Sequence, residues 1–146
     1  MFSVRQHIVE QTIRNLAECG AGRYECVAYW TGPNAQVQKV DGWAHPTHQR
    51  ASDFYEVGGS WVPEFFLSLA KQKRGVRAQL HTHRGIAFHS DTDDRYPLVA
   101  QAGFISIVLP DYAKGQNLLE RSWVGILRPN GQWEEVPFTS ICEVIP

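Results

Sequence analysis

His81-Thr82-His83 places two imidazoles at positions i and i+2. On an extended strand these positions point to one face, so both rings can reach a single ion. Six histidines in 146 residues make such a pair ordinary by itself, and the plain reading is two histidines at a strand end. Ser90-Asp91-Thr92-Asp93 follows after a six-residue connection, 84–89, that contains Gly85. A helix starting at Ser90 would present a carboxylate towards an ion held by that strand. Its plain reading is a capping serine with an acid three residues on, suited to the helix dipole. Glu25 lies in the otherwise apolar stretch YECVAYW, where a carboxylate is costly to bury unless paired or used. The alternative there is an edge-strand glutamate facing water.

Two histidines and one carboxylate around an open fourth position describe a catalytic zinc site rather than a structural one. Zinc acidifies its water and polarises a carbonyl. A carboxylate near that water serves as general base, and a hydroxyl donor steadies the developing oxyanion. Glu25 and Ser90 are the candidates for these two roles.

These residues need a scaffold, and the pattern predicts an α+β chain: one layered sheet with flanking helices, in one domain over 1–146. Val4, Ile8, Ile13 and Leu16 recur close to helical period over 4–18. Residues 24–31 and 35–44 read as strands, and Phe54–Val57 as a short one. Ser60 is placed to cap a helix over 61–74 that Gly75 ends. VRAQLHTH, 76–83, is a strand running into the histidines. A helix over 91–101, bent at Pro97, leads to a buried strand, GFISIVLP, over 103–110. WVGILRP and GQWEEVPF form a hairpin across Pro129-Asn130-Gly131.

Taken together the residues resemble the JAMM (JAB1/MPN/Mov34) metallopeptidase signature: a glutamate on an early strand, then His-x-His, then Ser-x-x-Asp. Here it reads Glu25, His81-Thr82-His83 and Ser90-Asp91-Thr92-Asp93. The order of elements also looks like that family over nearly the whole chain. The resemblance implies the MPN/JAB-like fold, one zinc ion on His81, His83 and an aspartate, and catalytic roles for Glu25 and Ser90. Two positions depart from the pattern: Arg84 stands where proline is common, and the connection to the serine is one residue short. Counting without a gap makes Asp94 the ligand; keeping serine and ligand on one helical turn makes it Asp93, the preferred choice. The resemblance further implies peptidase or isopeptidase activity at the C-terminus of a ubiquitin-like protein. The chain lacks a long insert between the His pair and Ser90, and so resembles compact prokaryotic members. FHSDTDD is similar to stand-alone forms that accompany bacterial ubiquitin-like conjugation genes, antiphage operons included. Ubiquitin-like conjugates, and E1/E2-like proteins encoded nearby, are the partners this implies. An inactive scaffold of the same fold, or a peptidase for another small adduct, are the competing readings.

Charge and composition narrow the remainder. A formal net charge of -1 and the lack of a basic block give no footprint for nucleic acid. No apolar run is long enough to span a membrane, and the charged N-terminal segment does not read as a signal. The chain is expected to be cytoplasmic, with Cys19, Cys26 and Cys142 reduced, since their spacing matches no zinc knuckle or redox pair. His45 and His48 are expected as surface residues of a variable insert, and His89 at the mouth of the site.

Overall fold

The computed structural model describes residues 1–95 and 97–146, and of Gln49 and Arg50 the backbone alone. In chain order the elements are β1 (Phe2–Arg5), α1 (Gln6–Gly20), β2 (Val27–Pro33), β3 (Lys39–Val40), β4 (Gly42–Ala44), β5 (His48–Arg50) and β6 (Tyr55–Val57). There follow α2 (Trp61–Lys71), β7 (Arg74–Thr82), α3 (Asp91–Arg95), β8 (Ile105–Leu109), β9 (Trp123–Leu127), β10 (Trp133–Glu135), α4 (Phe138–Ile141) and β11 (Cys142–Ile145). The architecture is mixed α and β, as the hydrophobic pattern predicts.

The main sheet has the strand order β10-β9-β8-β7-β2-β4. β7 and β8 run parallel, while the sheet's other pairs are antiparallel. A smaller sheet, β11-β1-β3, ties both ends of the chain together, and β5 pairs with β6 in a separate hairpin.

The two faces of the main sheet have different contents. Ala28 and Trp30 of β2, Ala78 and Leu80 of β7, and Ile107 and Leu109 of β8 join one core with Ile8, Val9 and Leu16 of α1. Trp30 is fully buried there. Its indole N–H donates to Thr12 Oγ1 at 3.0 Å, and the Thr12 hydroxyl donates to the Ile8 carbonyl. Alternation sends Val27, Tyr29, Gln79 and His81 to the opposite face. Tyr29 stacks there on Trp61 and Phe65 of α2, with ring centroids 5.7 and 5.9 Å apart. Trp61 thus packs inward, Trp43 lies partly buried against the core, and Phe54 is exposed.

Several expected elements shift. The first helix begins two residues later than its period suggests, because Phe2–Arg5 pairs in parallel with β11 and β3. The strand read at 24–31 begins only at Val27, so Glu25 precedes it. The 35–44 segment divides into β3 and β4, which belong to different sheets. Ser60 makes no side-chain cap, and α2 ends at Lys71, ahead of Lys73 in the left-handed region at φ 54°. The helix after Ser90 covers Asp91–Arg95; of the expected span to 101, Tyr96 lies outside the described residues. The final hairpin forms, with Gly131 at φ 81° in its turn.

Cys19 and Cys26 correct the expectation of three reduced thiols: they are joined as a disulfide, while Cys142 is free and buried. Ala21 and Gly22, at φ 50° and 69°, reverse the chain after α1. The reversal brings the two Cα atoms to 6.2 Å, a proximity that linear spacing does not reveal.

Candidate metal centre

His81 lies in the buried C-terminal part of β7, Ala78–Thr82, and His83 follows directly after the strand, both on the face opposite α1. The backbone after the pair is clamped. The His83 N–H donates to the Leu109 carbonyl, and its own carbonyl accepts from the Tyr112 N–H, each at 2.9 Å. Asp111, Tyr112 and Ala113 all adopt left-handed backbone, φ 53° to 60°, a conformation that costs non-glycine residues energy and that surrounding structure must hold. The Tyr112 hydroxyl donates to the Ser52 carbonyl at 2.8 Å, so the same turn also fastens the segment before β6. Gly85, at φ 70°, lets the chain leave the histidines and return towards Ser90.

Thr82, between the histidines, points the other way. Its hydroxyl oxygen accepts the Cys26 N–H, and its own N–H donates to the Cys26 carbonyl, both at 3.0 Å. That double contact brings Glu25 beside His83 although Glu25 is not in a strand. The Glu25 N–H donates to the Ala51 carbonyl at 2.8 Å, and Glu25 Oε1 lies 3.7 Å from His83 Nε2.

Asp93 closes the set. Its Oδ2 stands 3.1 Å from His81 Nε2 and 3.2 Å from His83 Nε2. Ser90 and Asp93 form a reciprocal cap: the Ser90 N–H donates to Asp93 Oδ2 at 2.9 Å, and the Asp93 N–H donates to Ser90 Oγ at 3.2 Å. Asp94 is turned away and accepts from His89 Nδ1 at 2.6 Å. His89 reaches Ser106 Oγ with Nε2, at 3.1 Å, and lies flat on Trp123. Gln79 joins this network, donating to Ser106 Oγ and accepting the Leu98 N–H, each at 3.1 Å. The structure therefore brings His81, His83, Asp93, Glu25 and Ser90 together and leaves Asp94 outside. Tyr112, Gln79 and the Thr82 clamp were not legible as site residues; nothing in their local sequence marks them.

The electrostatics of this cluster suit a cation. Burial pushes the Glu25 carboxyl up, with the neighbouring charges of Asp93 and then Asp53 adding to it, to about 8. Burial also acts to raise Asp93, but the imidazoles of His81 and His83 and the Ser90 N–H outweigh it and hold that carboxyl far below its ordinary range. His81 is fully buried. Its Nε2 lies close to Asp93 but off the hydrogen-bonding direction, and neither ring nitrogen has a hydrogen-bond partner among the described residues. A buried imidazole left this way is costly. An ion shared by His81, His83 and Asp93, whose donor atoms all lie within 4.8 Å of one another, would satisfy it. Donors of this kind suit zinc and other first-row metals.

A cavity of about 50 Å³, lined by Glu25, Ser90 and Asp93 among others, opens beside the cluster. It shares Asp53, Phe54, Tyr55 and Thr92 with a larger groove of about 720 Å³, whose further walls include Tyr29, Val57, Val62 and Leu98.

Solved structures of proteins from several sources share this fold. A protein from Desulfitobacterium hafniense superposes with TM-score 0.64 at 15% identity, covering 99% of this chain and 94% of its own. A protein from Salinibacter ruber gives 0.62 at 15%, covering 99% and 90%. A JAB1/MPN domain protein from Archaeoglobus fulgidus gives 0.55 at 14%, covering 99% and 97%. The chain thus has the JAB1/MPN fold. In sequence, it is 35% identical over 75 residues to a probable metalloprotease of Sinorhizobium fredii, a match spanning 50% of this chain and 46% of that protein. The chain spans about half the length of the curated relative it matches. No family model matches.

Proposed function

We propose that this JAB1/MPN-fold chain is a zinc metallopeptidase of the JAMM type that cleaves the bond after the C-terminal tail of a ubiquitin-like modifier. The observation that carries the reading is the cluster of His81, His83 and Asp93 with Glu25 beside it at the end of a groove. The Sinorhizobium fredii relative, described as a probable metalloprotease, supports the peptidase class.

His81, His83 and Asp93 would hold the ion. Bound there, zinc would supply Lewis-acid polarisation of the scissile carbonyl. Glu25 takes the proton of the attacking water and returns it to the departing amine; a buried carboxyl with a raised affinity for protons suits both halves of that transfer. Ser90 Oγ is held as acceptor of the Asp93 N–H, so its hydroxyl proton turns to the oxyanion.

An extended tail entering the groove passes β6, whose only strand partner among the described residues is β5, so that its other edge is open to pairing. Strand addition at that edge would hold the tail in register. A small residue before the scissile bond lets the backbone come close to the ion. The segment FHSDTDD and the compact insert-free form support a place among cytoplasmic bacterial conjugation systems, antiphage ones included, with E1/E2-like proteins supplying the substrate.

The test is a fusion of a ubiquitin-like protein, ending in glycine, to a reporter. The zinc-loaded chain should cut it, and Glu25→Gln should keep its zinc while turnover falls about 10²–10⁴-fold. Equal cutting when the terminal glycine is replaced by a bulky residue would remove the ubiquitin-like substrate from the reading. Parallel loss of zinc and activity in Glu25→Gln would make Glu25 a ligand rather than a base.

A further inference from the structure

A second constellation of metal-binding side chains lies outside the peptidase site. Cys19 near the end of α1, Cys26 ahead of β2, and His45 and His48 in the segment between β4 and β6 place their donor atoms within 4.8 Å of one another. His48 Nε2 is 3.6 Å from each sulfur, and His45 Nδ1 is 4.0 Å from Cys26 Sγ. In a tetrahedral zinc site, with Zn–S of about 2.3 Å and Zn–N of about 2.0–2.1 Å, sulfur and nitrogen ligands stand about 3.5 Å apart. The second histidine is also oriented as a ligand should be. His48 Nδ1 lies 2.9 Å from the Pro46 carbonyl, so a proton on that nitrogen is held there and the Nε2 lone pair faces the sulfurs. His45 Nδ1 rests 3.0 Å from the Val27 carbonyl, a contact that it would exchange for the ion on joining the set.

We infer that Cys19, Cys26, His45 and His48, with both cysteines reduced, hold a second zinc ion whose role is structural. Two thiolates and two imidazoles with no open position describe a closed site, unlike the two-histidine, one-carboxylate centre. The disulfide is the oxidised, metal-free form of the same site. A small dithiol delivers two electrons and two protons to the Cys19–Cys26 bond, giving two thiols, and closes to its own disulfide. Both thiol protons are released as the ion binds.

The fold gives such an ion something to do. Among the described residues the β5–β6 hairpin pairs with no strand of the two larger sheets, and a two-stranded hairpin by itself is marginal in water. His48 opens β5. Cys26 is the neighbour of Glu25, and Ala51, just after β5, accepts the Glu25 N–H. One ion on these four residues therefore pins α1, the entry to β2 and the hairpin together. In doing so it fixes both Glu25 and the Asp53–Tyr55 wall of the groove.

Cobalt(II) separates the two centres, because only a sulfur-ligated ion shows thiolate-to-cobalt charge-transfer absorption in the near ultraviolet. The full chain, purified under a dithiol reductant, should bind two ions and show that absorption. His81→Ala/His83→Ala should bind one ion and keep it. Cys19→Ser/His48→Ala should bind one ion and lose it, with affinity at the remaining centre unchanged. Should the double variant fail to fold, the oxidised wild-type chain replaces it and should bind one ion without the thiolate absorption. A reduced wild-type chain that binds a single ion, lacks the absorption and leaves Cys19 and Cys26 open to thiol titration in the presence of zinc would overturn the inference. None of these readouts depends on peptidase activity, so failure here is distinct from failure of the peptidase reading.

Discussion

Asp93 and Asp94 are chemically alike and adjacent, and what separates them is the direction each takes from one short helix. Asp93 sits at the third position after Ser90, where the reciprocal cap turns its carboxylate back over the strand end. Asp94 is rotated by a further helical step of about 100°, which carries it to His89 and away from His81. Asp93→Asn should therefore lose the ion, because a neutral amide both weakens the bond to the metal and leaves the cap altered. Asp94→Asn should keep metal stoichiometry at wild-type level and affect only the His89 contact. Metal analysis of the two purified variants decides this; an Asp94→Asn protein that loses its ion while Asp93→Asn keeps it would reverse the assignment. The register was legible in sequence only through the Ser-x-x-Asp spacing, since the cap geometry is local. The company of Asp94 was not legible, because Trp123, Ser106 and His89 meet through tertiary packing.

At the scale of elements, the long periodic or apolar segments were readable. α1, β7 and β8 announce themselves through helical spacing or continuous apolar runs. What the sequence hid was made by distant pairing. β1 and β11 each occupy four residues and gain their identity from pairing across the sequence, with one another and, for β1, with β3. Glu25 looked like a strand residue because its neighbours are apolar, yet Thr82 captures the chain at Cys26 and Glu25 stays two residues ahead of β2. The β5–β6 hairpin shows the same limit, since Phe54–Val57 was visible as a strand while its partner was hidden among histidines and polar residues. That hairpin is where binding and chemistry should separate. Phe54 is 49% exposed, lines the groove and supplies no donor atom to the His81, His83 and Asp93 set. Phe54→Ala should raise KM for a tailed substrate several-fold and leave kcat within about twofold, because it removes contact made equally in ground and transition states. Steady-state kinetics on the reporter fusion measure this, and a fall in kcat with KM unchanged would place Phe54 in the catalytic step instead.

The whole molecule turns on the parallel pair β7–β8. Both strands end on the same side of the sheet, and the connection between them, residues 83–104, must cross outside those ends. That connection carries Ser90 and Asp93 over His81 and His83, which is why a helix start and a strand end bring their donor atoms to one point. The opposite face of the same strands holds the α1 core, with Leu80 and Ile107 fully buried. Metal binding and folding are thus two faces of one sheet and should be thermodynamically linked. In this cluster the ring nitrogens of buried His81 have no hydrogen-bond partner among the described residues, and Glu25 feels the charges of Asp93 and Asp53. An ion that binds the native state alone adds RT ln(1 + [L]/Kd), about 2.7 kcal/mol when free metal is a hundred times Kd. For a chain of 146 residues this corresponds to a rise in Tm of roughly 5–11 °C, at about 2–4 °C per kcal/mol. Calorimetry of chelator-treated and zinc-loaded chain should show that rise. Repeating it with His81→Ala/His83→Ala should remove the share due to the His81, His83 and Asp93 cluster and keep any share held by the cysteine–histidine cluster. A loaded wild-type chain that melts with its metal-free form would mean that these residues do not bind zinc in the native fold.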